Sequence, residues 1–291
     1  MPDFEPISLS RQDEYRRLLS SSDITASDYS FINLWAWADE HGLSWSFDSG
    51  LVWVRQDLPE PCLWAPVGPH DGIEWADLFA RADLGALPFT RIPEELLTRW
   101  MSALPGRVQA EEAREHWDYL YSVTELVELA GNRFHKKKNL LNQFLKRYAY
   151  DYRPIDPSLT AEVLATQGDW CAWRDCEAVE TLAAENLAIR KVMDGWSRLA
   201  AIMGGAILVE GRIVAFTVGE AFRDDTLLIH FEKGLGEYPG IYQAINRMFL
   251  QEHREFSIVN REQDLGNEGL RQAKLSYNPT GHVRKYRVRI S

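Results

Sequence analysis

The first half of the chain mixes helical and strand-like spacing of apolar residues. Phe31, Leu34, Trp35 and Ala38 recur at the i, i+3, i+4 and i+7 spacing of one helix face. Apolar and polar residues alternate on both sides of Asp-Ser-Gly in LSWSFDSGLVWVRQ, which predicts a β-hairpin. The other predicted elements are short strands at FEPISLS and PCLWAPV, helices at about 11–20, 73–82 and 93–103, and a short helix that ends near Gly131.

The second half opens on a basic helix, NRFHKKKNLLNQFLKRYAY, in which Phe134, Leu141, Leu145 and Tyr148 line one face. The predicted elements that follow are helices at about 158–174 and 176–200, the strands GAILVE, RIVAFTVGE and TLLIHFEK, a helix at 241–253, the strand FSIV, a short helix at about 267–275 and a last strand HVRKYRVRI. Short links join the three consecutive strands, so we expect an antiparallel meander.

The order of these elements matches one acyltransferase fold, the GNAT type. Two helices, a three-stranded meander, a glycine-containing loop, a helix, a strand, a helix and a strand follow one another in the second half. The first half follows a looser version of the same order. We therefore predict an α/β (α+β) protein made of tandem GNAT-like domains with mixed, largely antiparallel sheets. The expected domains are 1–130 and 131–291, the second carrying most of the site.

Charge is distributed unevenly along the chain. Residues 1–130 carry 9 Arg, no Lys and 23 Asp or Glu, a net charge of −14, whereas residues 131–291 carry a net charge of +3. The overall net charge of −11 argues against a protein that binds nucleic acid over its whole surface. The difference between the halves indicates two units with different surfaces, of which the second can hold an anionic ligand.

The cysteines and the apolar stretches bear on metal sites and compartment. Cys62, Cys171 and Cys176 contain no CxxC pair, so neither a zinc site nor a redox dithiol is expected, and an odd, sparse count fits a reducing compartment. The first ten residues lack the basic and apolar parts of a signal peptide. The longest apolar stretch, LAAIMGGAILV, is too short for a bilayer span. We therefore predict a cytoplasmic protein without a metal or a transmembrane segment.

The segment NREQDLGNEGLRQAKLSYNP follows the strand FSIV and carries six ionic groups. On the predicted helix, Arg271 and Lys274 are three residues apart and share a face, which makes a cationic pair suited to a phosphate or carboxylate. Glu262 and Asp264 precede that helix, and the Asp264 carboxylate could take the proton of an acceptor amine. The alternative is that Asp264, Arg271 and Lys274 form an internal ionic network that ties the loop to the sheet.

A second set of candidate residues lies on the predicted strand TLLIHFEK. His230 and Glu232 are two residues apart and so face the same side, and Glu220 could face the same gap from the neighbouring strand. Glu232 is therefore a candidate catalytic base beside Asp264. A lone histidine on a strand is also typical of a hydrogen-bonded core residue. Tyr277 could protonate a leaving group or simply pack.

The loop EKGLGEYPG partly resembles the phosphate-binding loop of coenzyme A-dependent GNAT enzymes. Its glycines allow a close approach of the backbone, so Gly236, Gly240 and Tyr242 are the candidate cofactor-binding residues. The usual basic-x-x-Gly-x-Gly order is not reproduced, Glu237 would repel a pyrophosphate, and Pro239 removes one N–H donor. A simple connection between a strand and a helix therefore remains open.

The basic stretch RFHKKKNLLNQFLKR predicts one of two surfaces. It is either a solvated helix face or a cationic surface that binds tRNA or another anionic donor. Part of it lies at the predicted domain junction. A cleft at that junction would be lined by Asn33, Trp37, Asp118, Tyr121, His135 and Lys137.

Several stretches resemble the DUF2156 family, which is similar to the C-terminal catalytic domain of phosphatidylglycerol lysyltransferases. These stretches are SDYSFINLWAW, WDYLYSVTELVELAGNRFHKKKN, AFTVGE, DTLLIHFEKGLGEYPGIYQAIN and NREQDLGNEGLRQAKLSYNP, which span nearly the whole chain. The resemblance implies tandem GNAT-like domains, like those of aminoacyl-tRNA-dependent transferases that modify lipids or peptidoglycan precursors. Those lysyltransferases also carry a large membrane-spanning region, and no counterpart of it is expected here.

The expected reaction is the transfer of an aminoacyl group from aminoacyl-tRNA to an amine or hydroxyl acceptor. Arg271, Lys274 and Lys137 would hold anionic groups, and Asp264 or Glu232 would receive the proton. Two alternatives stay open: an acyl-coenzyme A-dependent N-acyltransferase on the same fold, and a non-catalytic module that binds an anionic metabolite. The expected acceptor is a small molecule or a lipid headgroup. tRNA is the expected macromolecular partner, DNA is not, and no tightly bound cofactor is expected.

Overall fold

The computed structural model describes residues 3–82 and 87–291. Its strands in chain order are β1 (Glu5–Pro6), β2 (Leu43–Asp48), β3 (Leu51–Gln56), β4 (Cys62–Leu63), β5 (Phe89–Pro93), β6 (Val108–Glu112), β7 (Asp118–Ser122), β8 (Tyr150–Pro154), β9 (Ile202–Val209), β10 (Arg212–Arg223), β11 (Thr226–Gly234), β12 (Ile258–Asn260), β13 (Gly281–Val283) and β14 (Lys285–Ile290). Its helices are α1 (Gln12–Ser20), α2 (Phe31–Ala36), α3 (Ala38–His41), α4 (Trp75–Ala82), α5 (Glu94–Ala103), α6 (Val123–Glu128), α7 (His135–Arg147), α8 (Thr160–Arg174), α9 (Glu180–Gly195), α10 (Ile241–Glu252) and α11 (Glu268–Leu275).

The chain forms two compact units that are not consecutive in sequence. The first unit comprises residues 1–118, 263–268 and 282–291, and the second comprises residues 119–262 and 269–281. The boundary that we predicted at residue 130 therefore falls inside the second unit. Two segments that we predicted in the second domain belong to the first.

Two long-range strand pairings account for this division. β7 pairs with β12 through Tyr121 and Val259, and residues 119–130 accordingly belong to the second unit. β14 lies between β5 and β6, where Tyr286 pairs with Ile92 and Val288 pairs with Ala110. The end of the chain thus completes the first sheet. Local turn signals predict neighbouring elements but carry no information about such returns.

The sheet of the first unit has the strand order β1-β2-β3-β4-β5-β14-β6. Its neighbouring strands are antiparallel except β4 and β5, which are parallel. Aromatic rings dominate its core, in keeping with eight of the eleven tryptophans lying in the first 130 residues. The buried Trp100 ring packs edge-on against Phe79 and Phe89, with centroid distances of 5.1 and 5.0 Å. Such pairs add about 0.5–1.5 kcal/mol each beyond the burial of their area.

The second sheet has the strand order β13-β7-β12-β11-β10-β9-β8. β9, β10 and β11 form the predicted antiparallel meander, and β11 is parallel to β12. α7 and α10 pack together, and α10 also packs on β10. The apolar faces of these helices bury Phe144 and Phe249 in the core of the second unit. Because β11 and β12 run in the same direction, the chain leaves β12 alongside the second half of β11.

The structure confirms the predicted fold class, a mixed α/β protein with two largely antiparallel sheets. Four strands were absent from the prediction, β5, β6, β7 and β8. Of these, β6 and β8 are the outermost strands of their sheets, and most of their residues are exposed. An edge strand with solvent on both sides needs no alternation of apolar and polar residues, so it leaves no periodic signal.

Cys171 and Cys176 form a disulfide, with their Cα atoms 5.0 Å apart. The sequence analysis did not predict this pairing, since it considered only the CxxC spacing. α8 ends at Arg174, and Asp175 reverses the chain with a left-handed backbone conformation, φ +53°. A short turn of this kind brings two cysteines together at a spacing other than CxxC.

Helix lengths bear on the membrane question. α9 has 16 residues and is the longest helix in the described ranges. A bilayer span needs about 20 apolar residues. Within residues 3–82 and 87–291, therefore, no helix has both the length and the apolarity to traverse a membrane.

Candidate active site in the second unit

The chain leaves β12 through a sharply turned segment. Asn260 is completely buried, and its side-chain oxygen accepts a hydrogen bond from the Glu262 N–H at 2.8 Å. Glu262 itself has a positive φ of +57°. A β-branched or bulky residue rarely adopts this conformation, and the backbone bonds between this segment and Tyr119 hold it there. The turn directs the side chains of Arg261 and Glu262 toward β11.

Arg261 forms the first of two ion pairs with β11. Its guanidinium Nη2 donates to Glu232 Oε1 at 2.8 Å, and Asn246 Nδ2 donates to the other oxygen, Oε2, at 3.1 Å. The Arg261 and Glu232 side chains are only 14% and 8% exposed. Both oxygens of the Glu232 carboxylate are thus engaged. The Arg261 Nη1 is also buried, and it has no hydrogen-bond partner in the part of the chain that the structure describes.

Tyr277 and Lys137 lie against the same guanidinium. The Arg261 guanidinium carbon is 4.9 Å from the centroid of the Tyr277 ring, and Lys137 Nζ is 3.9 Å from that centroid. The Tyr277 hydroxyl accepts a hydrogen bond from Gln243 Nε2 at 3.0 Å. Burial raises the pKa of Tyr277, so its hydroxyl keeps its proton at neutral pH. A buried phenol, a guanidinium and an ammonium therefore share one small region.

Lys137 is the residue of this region whose pKa lies closest to neutral pH. It is half-buried near the start of α7. Burial disfavours its charged form, the positive charge of Arg261 disfavours it further, and together they lower the pKa of Lys137 to about 8. At neutral pH a tenth or so of such amines is uncharged, which is enough to accept a proton.

His230 forms the second ion pair between β11 and the segment after β12. Its Nδ1 lies 2.9 Å from Glu262 Oε1, and its Nε2 lies 3.3 Å from Glu220 Oε2. Burial alone would lower the pKa of His230, but the hydrogen bonds to Glu220 and Glu262 outweigh it and raise the pKa to about 9. His230 is thus an imidazolium between two carboxylates. The predicted grouping of Glu220 and His230 is present in the structure.

Lys274 and Arg271 lie on α11, as predicted. The Lys274 ammonium donates to the backbone carbonyls of Arg261 and, at 3.2 Å, Glu262. Tyr121 is buried and donates its hydroxyl proton to the Lys274 carbonyl at 2.9 Å. Arg271 is half-buried. The contacts of Lys274 are those of the ionic-network alternative, and its role in substrate binding stays a prediction, as does that of Arg271.

Asp264 is completely buried but belongs to the first unit. One of its carboxylate oxygens lies 3.3 Å from the Arg114 guanidinium, and the other accepts the Gly266 N–H at 2.9 Å. The second contact is the bond of an Asx turn, which shapes the loop that precedes α11. These contacts also favour the ionic network, and catalysis by Asp264 stays a prediction.

Three residues of the predicted cleft lie in the first unit. The Ser27 N–H and hydroxyl both donate to the buried Asp118 carboxylate at 2.8 Å, and Asn33 Nδ2 donates to the Ser27 carbonyl at 2.9 Å. Lys285 completes the group with a 2.7 Å ion pair to Asp118. Trp37 is half-buried. Asn33 and Asp118 are therefore committed to contacts within their own unit, and their part in substrate binding stays a prediction.

The predicted cofactor-binding residues follow β11 in the second unit. Gly240 has φ +87°, and a Cβ there would overlap the carbonyl oxygen of Leu140. A Cβ on Gly236 would lie 2.9 Å from the Trp173 ring. The Tyr242 hydroxyl accepts the indole N–H of Trp170 at 3.1 Å. Internal packing thus accounts for these two glycines, and cofactor binding stays a prediction.

The structure adds residues that the sequence analysis did not select. These are Arg261, Gln243 and Asn246. Arg261 was counted among the ionic groups of the motif, but nothing distinguished it from Arg271. No local signal singles it out, because its burial depends on the pairing of β12 with β11. His135, by contrast, is exposed at the start of α7, next to Asn139.

Residues 20–289 match the family model described as phosphatidylglycerol lysyltransferase, C-terminal. The chain belongs to this family. Family membership and the tandem GNAT-like fold confirm the predicted resemblance. They support a GNAT-like acyltransferase related to the lysyltransferases.

Solved structures support the fold of this family member over the whole chain. A conserved protein of unknown function from Bacteroides thetaiotaomicron is 30% identical, with a TM-score of 0.91 and full coverage of both chains. The C-terminal DUF2156 domain of a putative lysylphosphatidylglycerol synthetase from Agrobacterium fabrum is 14% identical, with a TM-score of 0.67 over 97% of this chain and 92% of that one. L-PGS from Bacillus licheniformis is 15% identical, with a TM-score of 0.60 over 88% and 90% of the two chains. The last two are likenesses of fold.

One curated relative also matches this family member. An uncharacterised protein of Mycoplasmoides gallisepticum is 25% identical over 181 residues, which are 60% of this chain. The match spans 56% of that protein, a little over half its length.

Proposed function

We propose that the second unit transfers an aminoacyl group from aminoacyl-tRNA to an amine or hydroxyl acceptor. The observation that carries the proposal is the grouping of Arg261, Tyr277 and Lys137 around a single phenol ring. Acyl transfer needs a proton acceptor for the nucleophile, a positive group for the oxyanion and a proton donor for the leaving group. The three side chains supply one of each.

Lys137 takes the role of general base. Aminolysis or alcoholysis of an ester requires the nucleophile to lose a proton, and a base with a pKa near the working pH does this best. The pKa of Lys137, about 8, meets this condition. Glu232 is less suited to the role, because Arg261 and Asn246 occupy its two oxygens. We therefore assign Glu232 the positioning of Arg261.

Arg261 and Tyr277 act on the acyl donor. The unpartnered Nη1 of Arg261 is the donor for the oxyanion that forms when the nucleophile adds to the carbonyl carbon. The bond from the carbonyl carbon to the ribose oxygen then breaks. The Tyr277 hydroxyl accepts from Gln243, which leaves its own proton free for that oxygen. The nucleophile's proton goes to Lys137, and the Lys137 ammonium then returns a proton to the Tyr277 phenolate, so the enzyme is restored and the products are an aminoacylated acceptor and tRNA with a free hydroxyl.

The donor and the acceptor follow from chemistry and from family. The resemblance to lysyltransferases supports aminoacyl-tRNA as the donor and a lipid headgroup or a small amine as the acceptor. Acyl-coenzyme A has less support, because Gly236 and Gly240 are accounted for by packing against Trp173 and Leu140. No observation favours a module that only binds a metabolite over an enzyme.

The test is a transfer assay with the full chain. Lysyl-tRNA carrying labelled lysine is the donor, and vesicles of phosphatidylglycerol or a soluble primary amine are the acceptors. We expect labelled product, a rate that rises with pH through about 8, and a loss of about a hundredfold or more in kcat for Lys137→Met and Tyr277→Phe. Lys137→Arg should not restore activity, because a guanidinium does not release its proton at this pH.

Tyr152→Phe is the matched control, since Tyr152 is a partly buried tyrosine on β8 in the same unit. It should retain activity within a few fold. Transfer from acetyl-coenzyme A but not from lysyl-tRNA would overturn the donor assignment. Full activity of Lys137→Met would overturn the mechanism.

A further inference from the structure

The first unit contains a cavity of about 640 Å³ whose lining includes none of the residues assigned to catalysis. It is lined by β5, β6 and β14, by the loop that leads into β4, and by the side chains of His41, Gln56 and His116. Its size is that of a site for a small metabolite. All its lining residues belong to the first unit.

Arg91 is placed in this cavity by a local distortion of β5. Along the pairing of β5 with β14, Ile92 faces Tyr286 and Phe89 faces Val288, so two residues of β5 stand opposite one of β14. Arg91 lies in this bulge and has a positive φ of +57°. Bulges redirect a side chain, and a left-handed arginine costs about 1–2 kcal/mol that the surroundings must offset. The fold therefore places Arg91 at the expense of local stability.

The Arg91 side chain is buried and only partly satisfied. It is 7% exposed, and its guanidinium stacks over the Trp64 ring at 4.7 Å. Nη1 lies 3.2 Å from Asp28 Oδ1 and 3.0 Å from His116 Nδ1. Nε is buried and has no hydrogen-bond partner within residues 3–82 and 87–291. A buried N–H without an acceptor costs about 1–3 kcal/mol, which an oxygen bound in the cavity would recover.

A buried ionic group holds Arg91 in this position. Asp28 receives hydrogen bonds from Gln263, at 2.7 Å, and from Lys285. Lys285 also pairs with Asp118 at 2.7 Å. Two carboxylates and two cations thus balance in charge, and they fix the guanidinium before any ligand arrives. Pre-organisation of this kind reduces the entropy that binding must overcome.

The charge of the cavity comes from guanidinium groups. Burial, with the positive charge of Arg91 second, lowers the pKa of His41 and of His116 to about 4. Both imidazoles are therefore neutral near pH 7 and serve as hydrogen-bonding groups. The charged lining residues are Arg91, Arg287, Arg289, Glu60 and Glu111, and Arg91 is already paired with Asp28. Arg287 pairs with Glu115, and Arg289 is exposed at the cavity.

The geometry points to a second ligand site in the first unit that binds a small organic anion through its carboxylate or phosphate oxygens. Arg91 Nε and Arg289 are the groups that hold these oxygens, because a guanidinium matches both kinds of oxyanion. The prolines, Phe89 and Val288 along the wall would cover the apolar part of the ligand. The site is independent of the acyl-transfer site proposed for the second unit.

The test is calorimetric titration of the full chain with citrate and with inorganic phosphate, each at constant ionic strength. We expect saturable binding of at least one anion. We also expect affinity about tenfold lower in Arg289→Gln, which corresponds to the loss of one charge-assisted hydrogen bond. Arg284→Gln is the matched control, since Arg284 is an exposed arginine just before β14 that does not line the cavity. It should bind as tightly as the unaltered chain.

Further variants separate this site from the other one. Arg91→Lys keeps the charge that pairs with Asp28 but lacks Nε, so it should fold and lose binding. Arg261→Gln should keep binding, because Arg261 belongs to the second unit. Citrate binding without phosphate binding would identify carboxylates as the ligand class, and the converse would identify phosphates. Absence of saturable binding of either anion, or equal losses in Arg284→Gln and Arg289→Gln, would overturn the proposal.

Discussion

At the residue scale, His230 couples the stability of the second unit to pH. Its pKa is raised to about 9, compared with about 6.5 for an exposed histidine. The protonated form therefore stabilises the folded state by roughly 3 kcal/mol, from the size of the pKa difference. This stabilisation is complete below about pH 6.5 and is lost as the pH rises through about 9. Urea unfolding between pH 6 and pH 10 measures it.

The comparison that isolates His230 is with His230→Gln. The difference in the free energy of unfolding between the two proteins should be largest at pH 6 and should shrink toward pH 10. His253→Gln, at the end of α10, should follow the pH dependence of the unaltered protein. A difference between unaltered and His230→Gln protein that stays constant from pH 6 to pH 10 would mean that folding does not raise the pKa of His230.

Lys137 provides a second prediction at this scale that does not require activity. Its pKa, about 8, is set by burial first and by Arg261 second. Arg261→Gln should therefore raise the pKa of Lys137, whereas Arg261→Lys should leave it low because the positive charge is kept. The pH dependence of amine labelling, followed for Lys137 by mass spectrometry, measures this pKa.

Lys136 and Lys138 act as internal references for the access of the labelling reagent, since they flank Lys137 on α7. The interpretation fails if Arg261→Gln leaves the labelling profile of Lys137 unchanged. It also fails if the profile of the unaltered protein shows a pKa near 10.5, the ordinary value for lysine.

The residues of the site were only partly predictable, for a definable reason. The sequence pointed to Glu232, Lys137 and Tyr277 as functional candidates. In the structure the Lys137 ammonium lies over the Tyr277 ring. The sequence did not single out Arg261, because a cation in a mixed ionic segment has no local signature of burial. Burial depends on the parallel pairing of β12 with β11, which lies beyond the reach of local patterns.

At the element scale, the loop between β11 and α10 has two possible roles for its glycines, internal packing and phosphate binding, and substitution can decide between them. Gly240→Ala should destabilise the protein strongly, because the new Cβ would meet the Leu140 carbonyl in addition to adopting a positive φ. Gly211 is the matched control, since it has a similar φ of +81° with open space around it. Gly211→Ala should cost about 1–2 kcal/mol, and Gly240→Ala clearly more. Thermal and urea unfolding measure both.

Equal losses in the two alanine variants would show that Leu140 moves aside without cost. The glycine would then be available to a ligand, and the phosphate-loop interpretation would regain support. A rise in stability of Gly240→Ala with added coenzyme A, absent in Gly211→Ala, would point the same way.

Most buried elements were predictable, although the largely buried strands β5 and β7 were missed. The strands β9, β10 and β11 are buried over most of their length, and α10 has a buried face whose apolar residues repeat at helical spacing. β8, by contrast, is exposed along most of its length, and the prediction merged its first residue with the end of α7. A propensity for strand is weak without a buried face, so pairing with β9 decides the structure of this segment.

At the scale of the whole molecule, the order of elements was enough to predict two GNAT-like units, but their boundaries were not predictable. The charge difference between residues 1–130 and 131–291 is a property of the sequence. The folded units exchange segments, since β14 returns the basic stretch HVRKYRVRI to the acidic first unit. The net charge of each folded unit therefore differs from the net charge of the corresponding half of the sequence. Arg289 thus enters the cavity of the first unit although it lies at the end of the chain.

The uneven charge leads to a last prediction, on tRNA. A net charge of −11 opposes binding of an RNA polyanion overall, so the interaction must come from a local cationic surface. Lys136 and Lys138 are exposed on α7 and are the strongest candidates. If each neutralises one phosphate, replacing both by Gln should reduce the slope of log K against log salt by about 1–2. Arg190→Gln with Lys191→Gln, an equal charge change on α9, should leave the slope unchanged. Filter binding of tRNA at roughly 50 to 200 mM salt measures the slopes of both double variants. Equal effects of the two double variants would mean that α7 is only a solvated helix face.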